Sequence, residues 1–353
     1  MSKLPDVLFR KTVWDQEKNP IWVGTTLHLY RNFSLYKFPS KMTLAEMTGS
    51  LKTIVETFQK IPSLQPLSFF PAEELTPLDK ELLFEHFQCA QGFQEAREGQ
   101  GFAFNPQGTC LITIHDNNHI QLHLVETDND LVRAWTSLSQ IDASLGHTHS
   151  YAFSPRFGYL TSDPLACGTA LETRVFLHVP ALRHTGALKE LISKYGDEQI
   201  SFLGLEGPID DLVGDFLILK NHYTLGVSEE TFLTLLQTTA LKIASAEKKA
   251  RDELKSKPVT ELKDFVGRSF GLLMHSFQLN PKEALDGLSG LKLGVDLGWV
   301  SGTTPQKLST LMLQLRRGHL THLLNLQSPT PQELSHQRAE WLHQELKGIS
   351  IAE

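Results

Sequence analysis

Two short apolar runs, residues 111–114 and 120–125, flank the pentapeptide His115-Asp116-Asn117-Asn118-His119. The second run alternates apolar and polar residues, the pattern of a strand with one buried face. Asp and Asn suit the tight backbone of a hairpin loop. This spacing predicts an antiparallel hairpin, and so a sheet, in the middle of the chain. A helix expected over 130–145 packs on one side of that sheet. Residues 174–179 and 215–219 supply two further strand candidates.

Helical spacing marks the flanks. Leu44, Met47, Leu51, Ile54, Val55 and Phe58 give a helix over 43–61. Prolines at 62, 66, 71 and 77 then break the chain, and Leu78, Leu82, Leu83 and Phe87 mark a helix over 77–89. Residues 228–256 read as one long helix with Phe232, Leu235, Leu236, Ala240 and Ile243 as its stripe. Ser228 suits its N-cap, and Glu229 and Glu230 suit the positive end of its dipole. Pro258 follows the charged tail of this helix and marks the boundary between a first domain, 1–257, and a second, 258–353. Helices are expected in the second domain over 261–277, 281–288, 305–326 and 331–346. The fold class is therefore α+β: an antiparallel sheet flanked by helices, then an all-helical domain.

The 353 residues carry 33 basic and 40 acidic side chains, a net charge of −7. A duplex-DNA binder would show a basic surplus. Cys89, Cys110 and Cys167 are widely spaced with no Cys-x-x-Cys pair, which fits a reducing compartment. The first eleven residues lack an apolar signal region, and no run approaches the roughly 18 apolar residues of a membrane span. The expectation is a cytoplasmic protein with neither a membrane nor a nucleic-acid partner. His115 and His119 flank the hairpin loop, and His147 and His149 share a face if extended. Zinc needs three or four converging ligands, so no metal site is expected. Lys248, Lys249 and Arg251 are expected on a solvated helix face, and Asp210-Asp211 in a solvated turn.

The most informative stretch is Phe157-Gly-Tyr-Leu-Thr-Ser-Asp-Pro-Leu-Ala-Cys-Gly-Thr-Ala-Leu-Glu-Thr-Arg-Val-Phe-Leu-His-Val-Pro180. It resembles the signature of the guanidino phosphotransferases, and most of all the protein-arginine kinase (McsB) branch. That signature reads G-Y-L-T-S-C-P-T-N-x-G-T-G-L-R-A-S-V before a strand ending in L-P. Gly158, Tyr159, Leu160, Thr161, Ser162, Pro164, Gly168, Thr169, Leu171, Val175 and Pro180 match in register. Residues 24–32 resemble the family's S-S-R-I-R-L-A-R-N, and 115–121 resemble N-E-E-D-H-I-R. Residues 203–208 resemble R-G-x-x-G-E, and 291–298 resemble a motif of the family's helical domain. The resemblance implies a guanidino-kinase-like sheet domain followed by a helical domain.

It also implies a chemistry whose side chains have been replaced. Phosphoryl transfer depends on positioning and on positive charge around the phosphates. The family's two first-loop arginines fall on Thr26 and His28, the hairpin arginine on Gln121, the next on Glu172 and the last on Leu203. The catalytic glutamates fall on Asn117 and Pro208, and the cysteine on Asp163. Glu172 would face the triphosphate and repel it, and no new basic cluster is expected nearby. A non-catalytic adaptor in protein quality control follows, needing neither ATP nor magnesium. Its implied partners are a zinc-finger activator, a heat-shock repressor and the Clp unfoldase. The alternative is an active, divergent protein-arginine kinase, with Asp116 as base and Asp163 holding the guanidinium. In that reading Arg174, about 7 Å along the strand from Glu172, would take part in phosphate binding. The family's phosphoarginine reader R-D-x-x-R-A falls on residues 334–339, where only Arg338 and Ala339 remain. Weak or absent phosphoarginine binding is expected, with Arg338 a surface residue. Leu308, Leu311, Met312 and Leu315 would then serve homo-oligomer or partner contacts.

Overall fold

A computed structural model of the chain describes residues 4–10, 12–16, 18–89, 95–196, 198–257 and 260–351. In chain order its elements are β1 (Trp22–Arg31), α1 (Leu44–Phe58), β2 (Ser68–Pro71), α2 (Pro77–Phe87), β3 (Gly101–Phe104), β4 (Cys110–Ile114) and β5 (Ile120–Glu126). Next come α3 (Leu131–Gly146), β6 (Phe153–Ser154), β7 (Gly158–Tyr159), β8 (Leu171–His178), α4 (Pro180–His184), α5 (Leu188–Tyr195), β9 (Ile200–Gly204) and β10 (Phe216–Asn221). The chain then runs through α6 (Glu229–Ser256), α7 (Thr260–His275), α8 (Pro281–Asp296), β11 (Val300–Ser301), α9 (Pro305–Gln314), α10 (Arg317–Leu323), α11 (Pro331–Glu345) and β12 (Ser350–Ile351).

Eight strands form one sheet in the order β2-β3-β4-β5-β1-β8-β10-β9, every neighbouring pair antiparallel. The expected hairpin is β4–β5, with Ile114 opposite Ile120. Alternation sends Leu27, Leu29, Leu122, Leu124, Leu171, Val175, Leu217 and Leu219 to one face. There they pack with Ile54 and Phe58 of α1, Leu138 and Ile141 of α3, and Phe232, Leu236 and Ile243 of α6. Each such fully buried side chain contributes roughly 1.5–3 kcal/mol.

The opposite face has two characters. At one end Trp14, Val23, Phe104, Leu111, Val125, Phe176 and Phe216 join Leu285 and Leu288 of α8 and Met312 of α9 in a second core. At the other end the same strands carry Thr26, His28, Gln121, His123, Glu172, Arg174 and Lys220. This polar end is the candidate site.

Several expectations change. Residues 24–31 lie on β1, a strand inside the sheet, not on a loop. The helix expected over 281–288 continues to Asp296, since nothing breaks it. The helix expected over 305–326 is two helices, because Arg316 has extended backbone (ψ 158°) between α9 and α10. Leu308, Leu311, Met312 and Leu315 are at most 4% exposed and belong to the second core, so they cannot form an oligomer surface. Arg251 is buried and bonded to Glu247 and Asp296 instead of facing solvent. The boundary expected at Pro258 lies outside the described residues. Among the described residues, no helix is long and apolar enough to cross a membrane.

Candidate functional site

Four neighbouring strands, β5, β1, β8 and β10, build the polar end of the sheet. His28 on β1 pairs with His123 on β5 and with Glu172 on β8, and Thr26 pairs with Arg174. Lys220 on β10 lies beyond Arg174. Period-two geometry therefore brings Thr26, His28, Gln121 and Glu172 onto one face. These are four of the five positions where the resemblance expects arginine. Leu203 on β9 is the fifth, two strands from Glu172 and 36% exposed.

Glu172 does not stand as a lone anion. Its carboxylate accepts from Arg174 Nε at 2.7 Å and meets Lys220 Nζ at 2.5 Å. Burial pushes this carboxyl up, but Arg174 and Lys220 together outweigh burial and hold it below its ordinary value. The expectation that Glu172 would stand as a repelling charge, with no new basic cluster nearby, is thus corrected. Lys220 supplies the missing cation from 48 residues downstream, and the trio carries a formal charge of +1, two cations against one anion.

The face is also covered. After α2, Gln88 adopts a left-handed backbone (φ 51°), and its carbonyl accepts from Arg174 Nη1 at 3.2 Å. Cys89 follows, 3% exposed. His28 and His123 meet through their Nδ1 atoms at 2.7 Å, and His28 Nε2 lies 3.0 Å from Thr26 Oγ1. Burial, reinforced by His123, Arg174 and Lys220, pushes the His28 imidazole well below its ordinary range. Burial and then Arg174 bring His123 down to about 3. Both rings are neutral near pH 7. Beside this face lies an apolar cleft lined by Trp14, Phe176, Phe216, Leu285, Met312 and Arg316.

A second group of expected site positions forms a lip above the sheet. Asn117 is exposed in the hairpin loop, and its carbonyl accepts from Ser162 Oγ. Neighbouring Asn118 Oδ1 accepts from Ser162 N at 2.9 Å and from Asn32 Nδ2 at 2.7 Å. The loop and the 161–163 turn therefore bring Asn117 close to Asp163. The Asp163 carboxylate is exposed and accepts from Leu165 N at 2.9 Å, starting a single helical turn. Asp116 accepts from Gln121 Nε2 at 2.8 Å. Pro208 is exposed on the loop after β9, where Gly204 and Gly207 bridge. No carboxylate occupies either glutamate position, and Asp116 is engaged by Gln121.

The other candidates are held by structural bonds. His115 bonds the Gly99 carbonyl and Ser50, and His149 bonds Thr57. Asp211 pairs with Lys282. Arg338 is buried, 2% exposed, and donates to the carbonyls of Leu315 at 2.9 Å and Leu279 at 2.8 Å. Burial brings its guanidinium down to about 10. It is an interior bracket, not the surface residue expected. Lys220, Gln88, Cys89 and His123 were not singled out as site residues. Alternation along β5 could have placed His123 beside Gln121, whereas no local signal points from residues 88–89 to the sheet.

Comparison with known proteins bears on the family and the fold. Residues 49–250 match the family model for the ATP:guanido phosphotransferase C-terminal catalytic domain. Residues 259–353 match that for the protein-arginine kinase McsB C-terminal domain. A protein-arginine kinase of Chlamydia pneumoniae is 33% identical over 358 residues, covering 98% of both chains. One from Chlamydia muridarum is 37% identical over 84% of this chain and 83% of its own, and one from Bacillus subtilis 28% over 87% and 86%. Among solved structures, the duplicated taurocyamine kinase of Schistosoma mansoni is similar with a TM-score of 0.58 and 20% identity, over 70% of this chain and 37% of that one. A lombricine kinase is similar with a TM-score of 0.55 and 18% identity, over 70% of this chain and 71% of that one. These structural likenesses carry the fold.

Proposed function

The chain belongs to the ATP:guanido phosphotransferase family, in its protein-arginine kinase branch, and on that premise we propose that it is a kinase-fold adaptor that does not transfer phosphate. One observation carries this reading. The sheet face that should hold a triphosphate presents neutral, buried Thr26, His28, Gln121 and His123, with Gln88 and Cys89 packed onto it. A triphosphate needs dense, preorganised positive charge, and removing one such donor costs on the order of 10²–10³ in rate. Four of the five arginine positions carry uncharged side chains, and the fifth carries Glu172. The partners proposed are those implied by the resemblance: a zinc-finger activator and the Clp unfoldase.

The second reading is an active, divergent kinase. Arg174 and Lys220 favour it, since together they leave a net positive charge at this face. So does the similarity to relatives named protein-arginine kinases along nearly the whole chain. Incubation with ATP and magnesium, followed by acid-labile phosphoarginine detection, separates the two. The adaptor reading expects no phosphoarginine and no shift of melting temperature with ATP–magnesium, because a ligand that does not bind cannot stabilise. Phosphoarginine formation, or a saturable shift of several degrees, would overturn it.

A further inference from the structure

We infer that His28, Cys89 and His123 form a binding site for a thiophilic d10 metal ion, zinc(II) or copper(I), seated where the nucleotide face has been lost. The three side chains come from β1, from the segment after α2, and from β5. One ligand atom of each lies within 4.8 Å of the other two, and all three residues are buried. Thiolate and imidazole together are the donor set that soft and borderline cations select. His28 is partly oriented already. With Nε2–H donating to Thr26 Oγ1 at 3.0 Å, its Nδ1 lone pair faces His123 and Cys89. An outer hydrogen bond of this kind fixes the tautomer in metal sites.

Distance and charge both allow the ion. The two Nδ1 atoms lie 2.7 Å apart, bridged by one proton. A cation held at about 2.0–2.1 Å from each nitrogen replaces that proton and opens the gap to roughly 3.3 Å. The His123 proton moves to Nε2, and the Cys89 thiol releases its proton to solvent. The charged groups around the cluster are Glu172, Arg174, Lys220 and Asp116, whose formal charges cancel. The ion would join the strand pair β1–β5 to the segment after α2, holding Gln88 and Cys89 down on the sheet. A zinc ion would take a fourth ligand from water, whereas copper(I) is satisfied by three donors.

The test uses the full chain, stripped with chelator under reducing conditions and then loaded with zinc(II), or anaerobically with buffered copper(I). Elemental analysis after gel filtration should find about one equivalent of one of these metals per chain. The arm that retains metal identifies the ion. Cobalt(II) substitution should give a near-ultraviolet thiolate-to-metal band in the unmutated protein, a readout that needs no variant. Cys89→Ser should abolish the band and weaken binding by about 100-fold or more, and Thr26→Val should weaken it about tenfold. Retention of neither metal would overturn the inference. So would cobalt binding without a thiolate band, or affinity unchanged in Cys89→Ser.

Discussion

At the scale of single residues, buried arginines hold the scaffold together, and Arg31 is the clearest case. It is 1% exposed, forks onto Asp142 at 2.8–3.2 Å, and lies 3.5 Å over the ring of Tyr159. Arg31→Ala strands the Asp142 carboxylate and should cost about 3–5 kcal/mol in urea unfolding. Arg338 should behave similarly but more mildly. Its loss leaves the Leu315 and Leu279 carbonyls unpaired, so Arg338→Ala should destabilise by about 1–3 kcal/mol. Calorimetric titration of the parent chain with free phosphoarginine should show no binding, because that guanidinium is already spent inside. Micromolar binding lost in Arg338→Ala would refute this. Repair at the lip should also fail: Asn117→Glu combined with Asp163→Cys restores a base and a thiol but none of the phosphate-binding cations. Arginine phosphorylation by that double variant would mean that Arg174 and Lys220 suffice to hold a nucleotide.

At the scale of elements, the signature stretch survives because its backbone is over-determined. Gly168 has φ +109°, and a Cβ there would sit 2.1 Å from the Thr224 carbonyl oxygen. Its own carbonyl accepts from Tyr159 N at 2.9 Å, tying β7 to the start of β8. Gly168→Ala should therefore destabilise by at least about 2 kcal/mol, read as a lower urea midpoint. Such a glycine is legible in sequence whatever the chemistry above it does. Helix starts were legible for a related reason, although the end of the helix after Asn280 was not. The helix starting after Thr43 has a capping box in which Glu46 and Thr43 bond reciprocally, and Asn280 with Glu283 repeats it. Short strands at the sheet edge were not legible. β2, β3 and β9 have four or five residues each, and their burial depends on partners far along the chain.

At the scale of the whole molecule, buried histidines tie stability to pH. His119 accepts from Phe33 N at 3.2 Å through Nδ1 and donates to the Lys37 carbonyl at 2.8 Å through Nε2, a neutral tautomer. Burial brings it down to about 4 and His86 down to about 3. In the unfolded chain both titrate near 6.5. The unfolded state therefore binds more protons below that value, and stability falls as pH drops from 6.5 towards 4. Each ring should contribute a loss of about 2 kcal/mol by pH 5, 1.5 pH units at roughly 1.4 kcal/mol each. Melting temperature should thus fall steeply between pH 7 and 5, with a shallower fall in His119→Gln. A flat profile over that range would show that these rings are protonated in the fold.

The sequence by itself determined the α+β class, the β4–β5 hairpin, the long helix α6 and the family signature. These follow from periodicity, caps and glycines, which act over a few residues. It also showed that the positions at which the resemblance expects arginines and glutamates carry other residues, since identity at a given position needs no coordinates. Only the tertiary structure decided what stands in their place. Glu172 is neutralised by Lys220 on the next strand, Cys89 arrives from the end of a helix, and Arg338 turns inward. Each of these outcomes depends on which distant segments the sheet and the second core bring within a few ångströms. No local pattern encodes that, because charge pairing and burial depend on distance in space.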